Sequence, residues 1–352
     1  MAARWCVLGC LALLLAACSS GGPTVLLAPT STPTALPTAT PIPPTPTSTP
    51  RPSATPAELS VGGPQATCSD PYPGGAPYEP EPDEPIRLGP RGQPPALARY
   101  QPLPFATDSA LERVVRTSIG QDGGHIAVVV KNLADGRGVS VDSDRVFGSA
   151  SLYKTWVLLE VYHQREAGLL DFDERYIVSD YYEEEFGLNP GELATCDQVT
   201  IDHVLERMIR ASDNVAAHLM LDRVGAGNVN TTLRSLGLDV SGYLRGLPTT
   251  AAEMALLLEA IARRQVVSGA ASDEMLGLLS TTYFADRLVA LLPEGTRVAH
   301  KTANSSNATH DAGIVFSPGA TYVIVVLTDF GFGGDGATPI ARISRAVYDY
   351  YN

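Results

Sequence analysis

Three short polar motifs in this chain combine hydroxyl, amine and amide groups at spacings suited to acyl-transfer chemistry. Ser151-Leu152-Tyr153-Lys154 sets a hydroxyl and an amine one turn apart on one face of any helix through them. A serine hydroxyl is a weak nucleophile until a neighbouring base takes its proton, and a lysine serves as that base when burial and hydrogen bonds lower its pKa. Ser212-Asp213-Asn214 adds a second hydroxyl for proton relay and a carboxamide that can orient a substrate amide or Lys154. Asp213 is expected to tie down its turn through backbone hydrogen bonds. Lys301-Thr302-Ala303, just ahead of Asn304, puts a cation and a hydroxyl on a strand, where they can hold an anionic group while the extended backbone pairs with an amide. Each motif alone also has an ordinary reading, as a capped helix with a surface lysine, a polar turn between helices, or a strand end.

Lysine is rare here. Lys131, Lys154 and Lys301 are the only three, and arginine supplies nearly all the other positive charge. An ammonium can give up its proton where a guanidinium cannot, so two of three lysines falling in these motifs is informative. With 38 acidic and 25 basic residues the formal charge is -13, and no basic stripe invites nucleic acid. The histidines and cysteines show no metal-ligand spacing, so neither a metal nor another cofactor is expected.

These residues need elements to hold them. Apolar spacing predicts a helix over 107–118 through Leu111, Val114 and Val115, with Asp108 in its first turn. A hairpin of 125–130 with 139–141 follows, about the Asp135-Gly136 turn. A helix from near Ser151 runs through Trp156, Leu159 and Tyr162 to Gly168. Thr200 is placed to cap a helix carrying Val204, Leu205, Met208 and Ile209. Residues 215–224 read as another, and Thr250 with Glu253 has capping-box spacing ahead of Met254, Leu257, Leu258 and Ile261. Ser272 is read as the start of a helix through Met275, Leu278 and Leu279. The period then becomes that of strands at 298–302, 312–316 and 322–328, before a closing helix from Pro339 to Tyr351 with Thr338 as its cap. This order specifies an α+β fold, an antiparallel sheet with packed helices and a mainly helical lobe, with the site expected in the cleft between lobe and sheet edge.

The chain opens with Arg4 and an apolar run from Val7 to Ala17, shorter than the roughly 20 residues of a membrane span and typical of a signal peptide. Leu15-Ala16-Ala17-Cys18 resembles the bacterial lipobox, which implies removal of residues 1–17 and acylation of Cys18, so that the protein is exported and held on a membrane. Ordinary secretion with cleavage elsewhere is the alternative, and either places the protein outside the cytoplasm. Residues 18–57 form a linker rich in Pro and Thr; its stretch from Pro23 to Ala57 can reach about 100 Å if fully extended. Residues 58–104 read as a partly ordered Pro/Gly-rich arm, with a disordered linker as the alternative, and 105–352 as one large, monomeric catalytic domain. Cys68 and Cys196 are the cysteines left over, and an oxidising compartment favours one disulfide between them over two free thiols.

Taken together and in this order, the three motifs resemble the signature of serine β-lactamases and penicillin-binding proteins, most closely the class A β-lactamases, over about residues 105 to 352. Phe147-Gly148-Ser149-Ala150 before the serine, Val298-Ala299-His300 before the lysine and His310-Asp311-Ala312-Gly313-Ile314-Val315 agree as well. The resemblance implies that Ser151 is acylated, Lys154 activates it, Ser212 relays a proton and Asn214 contacts substrate. Lys301 and Thr302 would bind the substrate carboxylate, and the backbone N–H groups of Ser151 and Asn304 would form the oxyanion hole.

Two departures stand out. Ala303 replaces the family's glycine, which adds a methyl group where substrate backbone passes. The active family members also carry a loop glutamate, with an asparagine nearby, that activates the deacylating water, whereas Asn228 to Leu247 holds only Asp239 as an acidic residue. Glu166 cannot substitute, being about 22 Å along the helix from Ser151; Glu183-Glu184-Glu185 is a candidate on a loop. The expected activity is that of a β-lactamase-like serine acyl hydrolase with slow deacylation. A D,D-peptidase acting on peptidoglycan peptides and a catalytically impaired cell-envelope binding module are the alternatives.

Overall fold

The computed structural model describes residues 90–182, 189, 191–331 and 334–352. The signal sequence, Cys18, the linker, Cys68 and Glu183–Glu185 lie outside the described residues. Strand β1 (Ala106–Thr107), helix α1 (Ser109–Ile119), strands β2 (Ile126–Asn132), β3 (Arg137–Val141) and β4 (Phe147–Gly148) lead to a tight 3-10 turn, Ala150–Leu152, and helix α2 (Tyr153–Glu166). The helical lobe comprises strands β5 (Arg175–Ile177) and β6 (Gln198–Thr200) and helix α3 (Ile201–Glu206), which runs on into a π-helical turn, Arg207–Ala211. Helices α4 (Asn214–Val224) and α5 (Ala226–Leu236) follow. Strand β7 (Pro248–Thr249) and helices α6 (Ala251–Ala262) and α7 (Gly269–Leu279) return the chain to strands β8 (Arg297–Ser305), β9 (Ala308–Phe316) and β10 (Thr321–Thr328). Helix α8 (Ala337–Tyr351) closes it.

The main sheet has the order β1-β3-β2-β10-β9-β8 and is antiparallel except for the β1–β3 pair. Its central strands are apolar on both faces because both are covered. In β2, Val128 and Val130 face the core formed with Leu111 and Val115 of α1 and Ile340 and Ile343 of α8. Ala127 and Val129 face the larger core of α2, α6 and the lobe. β8 is an edge strand, with Lys301 opposite Ala312 of β9.

Helix α2 is buried from Tyr153 through Gln164 because sheet and lobe enclose it. Among its buried polar groups, Glu160 is matched at both oxygens: Gln164 Nε2 donates to Oε1 at 2.8 Å and Thr232 Oγ1 to Oε2 at 2.6 Å.

Several helix starts differ from the expectation. Asp108 is the N-cap of α1, accepting from the Ala110 and Leu111 amides at 3.1 Å each, while Thr107 belongs to β1. α7 starts at Gly269 under a Ser268 cap, leaving Ser272 inside the helix, where its hydroxyl donates to Val266 O at 3.1 Å. α8 starts at Ala337, and Asp335 accepts from the Thr338 amide at 3.0 Å, since Pro339 fits anywhere in a first turn. Thr250 does cap α6 through the Glu253 amide at 3.1 Å. Glu253 does not close the box: its carboxylate accepts from the amides of Asp239, Val240 and Ser241 at 2.8, 2.8 and 2.6 Å.

Residues 90–104 are folded against α2, α5 and α6. Tyr100 is buried, Pro95 O meets His163 Nε2 at 2.8 Å, and Asn228 Nδ2 donates to Gly92 O at 3.1 Å. The Leu103 amide donates to Glu259 Oε1 at 2.7 Å, and Leu103 O accepts from Lys131 Nζ at 2.6 Å. Cys196 is disulfide-bonded. Among the described residues no helix is long and apolar enough to cross a membrane.

Candidate active site

Ser151 sits in the middle of the 3-10 turn that feeds α2. The segment before it is clamped: β4 pairs with β7, Ser149 N donates to Leu247 O at 2.8 Å, and His310 Nε2 meets Gly148 O at 2.9 Å. Because the Thr328 amide donates to His310 Nδ1 at 3.1 Å, the proton sits on Nε2, which donates to Gly148. Burial pushes the His310 pKa down to about 4, keeping the ring neutral and this arrangement intact at ordinary pH. Ala150 has φ +44°, a left-handed conformation that costs a non-glycine residue about 1 kcal/mol and that the clamped surroundings impose just before Ser151. The Ser151 side chain is half-buried.

Lys154, fully buried on α2, donates from Nζ to Asn214 Oδ1 at 2.8 Å, to Ser212 Oγ at 3.3 Å and to Ser212 O. Burial lowers its pKa to about 7, with the charges of Asp213 and Glu192 acting in the opposite direction. Lys301 of β8, also fully buried, donates from Nζ to Ser212 Oγ at 2.9 Å and to Thr302 O at 2.7 Å. Burial, and next the Lys154 charge, hold its pKa well below the ordinary lysine range. The Ser212 hydroxyl thus bridges the two amines. It can accept from Lys301 while donating to a neutral Lys154, which is the geometry of a proton relay.

The lobe aims these groups from the turn between α3 and α4. Ser212 ends the π-helical turn with φ +58°. Asp213, buried as the N-cap of α4, accepts from the Ala216 and Leu193 amides at 2.9 Å each, the structural part expected of it. Asn214 then starts α4 with its side chain on Lys154. β8, which carries Lys301, Thr302 and Asn304, lies against the Ser151 turn; Thr302 is buried and Asn304 exposed.

Two charged groups near this centre escaped the sequence reading. Glu192 Oε1 accepts from the Asn214 amide at 2.9 Å, and its Oε2 accepts from the Asn189 amide and side chain at 3.0 and 3.1 Å. Arg287, buried behind β8, donates from one guanidinium nitrogen to His310 O at 3.1 Å and to Ala303 O at 3.4 Å. Neither lies in a recognisable motif, and only folding brings them close. Glu192 had no signal of its own, being one of four carboxylates between the acidic triplet and Ser212.

The model of the Beta-lactamase enzyme family matches residues 109–351. The chain belongs to that family. It is 30% identical over 229 residues to a β-lactamase of Streptomyces albus G, an alignment covering 58% of this chain and 73% of that enzyme. A Bacteroides uniformis β-lactamase is 28% identical over 177 residues, 43% of this chain and 60% of the relative, so the match spans less than two thirds of that protein. Among solved structures, PBP-A superposes with a TM-score of 0.65 at 24% identity, covering 71% of this chain and 99% of PBP-A, which shows a shared fold.

The two positions that the family resemblance sets apart in the sequence both lie around this centre. Ala303 is buried and belongs to the larger core, so its methyl fills space inside the protein and leaves almost no exposed projection. The stretch without a glutamate, Asn228 to Leu247, is most of α5 and the loop that follows it, residues 237–247. Glu253 holds residues 239–241, and Asn230 holds Tyr243 through Oδ1 to its amide at 2.7 Å and Nδ2 to its carbonyl at 3.2 Å. Tyr243 packs edge-on against Tyr153 with ring centroids 5.6 Å apart, and Tyr153 in turn neighbours His218 at 6.3 Å. Aromatic groups line the protein beside Lys154 here, and Asp239 is exposed with its amide bound to Glu253.

Proposed function

We propose that this protein is a penicillin-recognising serine hydrolase that opens a β-lactam amide through an ester on Ser151, with slow release of the product. The observation that carries the reading is Lys154: buried, hydrogen-bonded to both Ser212 and Asn214, and with a pKa of about 7, it is substantially neutral near pH 7. In the proposed reaction Ser151 Oγ attacks the lactam carbonyl as its proton passes to Lys154. The backbone donors of Ser151 and Asn304 stabilise the developing oxyanion. The C–N bond then breaks, and the nitrogen receives a proton through Ser212. Lys301, Thr302 and Asn214 hold the substrate carboxylate and amide. The β-lactamase relatives support the β-lactam as substrate, and PBP-A has a variant captured as an acyl-enzyme with penicillin G.

Slow deacylation is proposed from the composition of the site among the described residues. Glu192, the carboxylate tied to Asn214, already accepts hydrogen bonds at both oxygens, and the loop before β7 contributes no glutamate. The same proposal places the enzyme outside the cytoplasm, lipid-anchored through Cys18, acting as a monomer.

Intact-mass analysis of the exported protein after mixing with penicillin tests the reading. One added β-lactam mass on the Ser151 peptide, decaying as free penicilloate appears, is the expected result. Unmodified protein with unchanged penicillin would overturn it. Release of D-alanine from a peptidoglycan-type peptide without net penicillin turnover would identify the same nucleophile as that of a D,D-peptidase.

A further inference from the structure

Glu192 is joined to the catalytic amine through one residue. Its Oε1 accepts the Asn214 backbone amide at 2.9 Å, and the Asn214 side-chain oxygen in turn accepts from Lys154 Nζ at 2.8 Å. Its other oxygen is held by two donors of Asn189, so the carboxylate is fixed at both ends. The Asn214 amide is one of the first N–H groups of α4, which have no partner within the helix. Asp213 already satisfies the Ala216 amide as N-cap, so Glu192 adds a second acidic group at the same positive helix end.

We propose that Glu192 is a positioning residue of the Ser151 centre: it fixes the start of α4 so that Asn214 reaches Lys154, and it supplies the counter-charge that governs when Lys154 is neutral. The proposal rests on the Ser151 acylation reading for its kinetic consequence, but not for its electrostatic one. Among the described residues, the charged and titratable groups around Lys154 are Asp213 at the start of α4, Glu192 from the preceding loop, Lys301 from β8 and His218 further along α4. Tyr153 is its neighbour on α2, with its ring centre 5.9 Å from Nζ. Asp213 and Glu192 are the two that favour the protonated amine. Asp213 is committed to the turn itself, which leaves Glu192 as the separable contribution. The sign follows: without the Glu192 charge, protonated Lys154 is less favoured, its pKa falls, and the base becomes available at lower pH.

The chain has three lysines, so side-chain ¹³C-lysine labelling of the full protein gives a spectrum in which Lys154 can be followed by NMR, with Lys131→Arg removing one signal for assignment. Glu192→Gln keeps an oxygen for the Asn214 amide and removes the charge. The Lys154 titration midpoint should move down by about half a unit or more. The acid limb of penicillin acylation should move down with it, a displacement that a purely structural role would not produce. An unmoved midpoint in Glu192→Gln would overturn the inference.

Should that variant not fold, Glu192→Asp keeps the charge while drawing it back from Asn214. Slower Ser151 acylation with a midpoint near that of the parent is then expected, and undiminished acylation counts against the positioning role. Absence of penicillin labelling in the parent protein would bear on the proposed function alone, because the Lys154 titration is read without substrate.

Discussion

In the proposed reaction Ser151, Lys154 and Ser212 divide the chemistry among a nucleophile, a base and a relay, and the division can be tested one side chain at a time. Ser151→Ala should abolish covalent labelling by penicillin while costing about 1 kcal/mol of stability or less, since the serine occupies a tight turn where it has no capping bond to lose. Labelling at full rate on another residue would show that the nucleophile lies elsewhere. The base sets the pH dependence. Lys154, lowered to about 7 by burial, is protonated and inert as a base below that value and neutral above it. The acylation rate should therefore rise as pH climbs through about 7, level off above, and fall about tenfold per unit on the acid side. Stopped-flow acylation across pH 5 to 9 checks this, and a flat profile would remove Lys154 from the base's role. These roles were legible in the residue types and spacing. The low pKa was not, because it comes from the burial of α2 by sheet and lobe, which only the fold supplies.

At the scale of elements, β8 and β9 must approach closely for Lys301 to reach Ser212. Gly313 of β9 lies opposite His300, and a Cβ there would sit 2.5 Å from His300 Cβ and 2.7 Å from Ala299 O. Those neighbours are strand backbone and the root of a side chain locked to Asp311 at 2.9 Å, so they have little room to give. Gly313→Ala should cost about 2 kcal/mol or more and shift β8, lowering acylation along with the urea midpoint. Parent-like stability would mean that the strands part easily. The sequence showed β9 as a strand and included Gly313 in the family resemblance, yet it offered no reason for the glycine, since the clash involves a partner strand. The helix starts illustrate the same limit: Thr250 was identifiable as a cap, but Glu253 was drawn off to the loop at 239–241 by three amides that only the fold presents.

For the molecule as a whole, the proposed acyl-enzyme should accumulate. Loss of a well-placed general base slows a step by roughly 10²- to 10⁴-fold, so penicillin turnover should show a burst of about one equivalent followed by slow release. Rapid steady turnover without a detectable ester would require a base that the described site does not display. The arm ahead of the domain is a second molecule-wide question. Leu103 bonds both members of the buried Lys131–Glu259 ion pair, whose charges meet at 2.6 Å. Removing residues through 104 should cost on the order of 3 kcal/mol relative to a chain beginning at residue 90, measured by denaturant unfolding. Equal stability would show the arm to be dispensable. The disulfide proposed between Cys68 and Cys196 would hold the arm more firmly, and non-reducing peptide mapping identifies the partner of Cys196.

The sequence by itself determined the class of chemistry and most of the elements that hold it. Hydrophobic period, caps and the three ordered motifs are local signals, written in residues close together in the chain. It also named Ser151, Lys154, Ser212, Asn214 and Lys301 as candidates, because each belongs to a motif whose members are neighbours in sequence. The tertiary structure alone decided what lies between motifs: that Lys154 and Lys301, 147 positions apart, share the Ser212 hydroxyl; that Glu192 and Arg287 join the centre; that the Ala303 methyl turns into the core; and that residues 90–104 are bound to the domain. Each depends on burial or on contact between distant segments. Burial and long-range contact set both the Lys154 pKa and the position of its counter-charges, because electrostatic free energy follows distance in space and the dielectric around the charge, not separation along the chain.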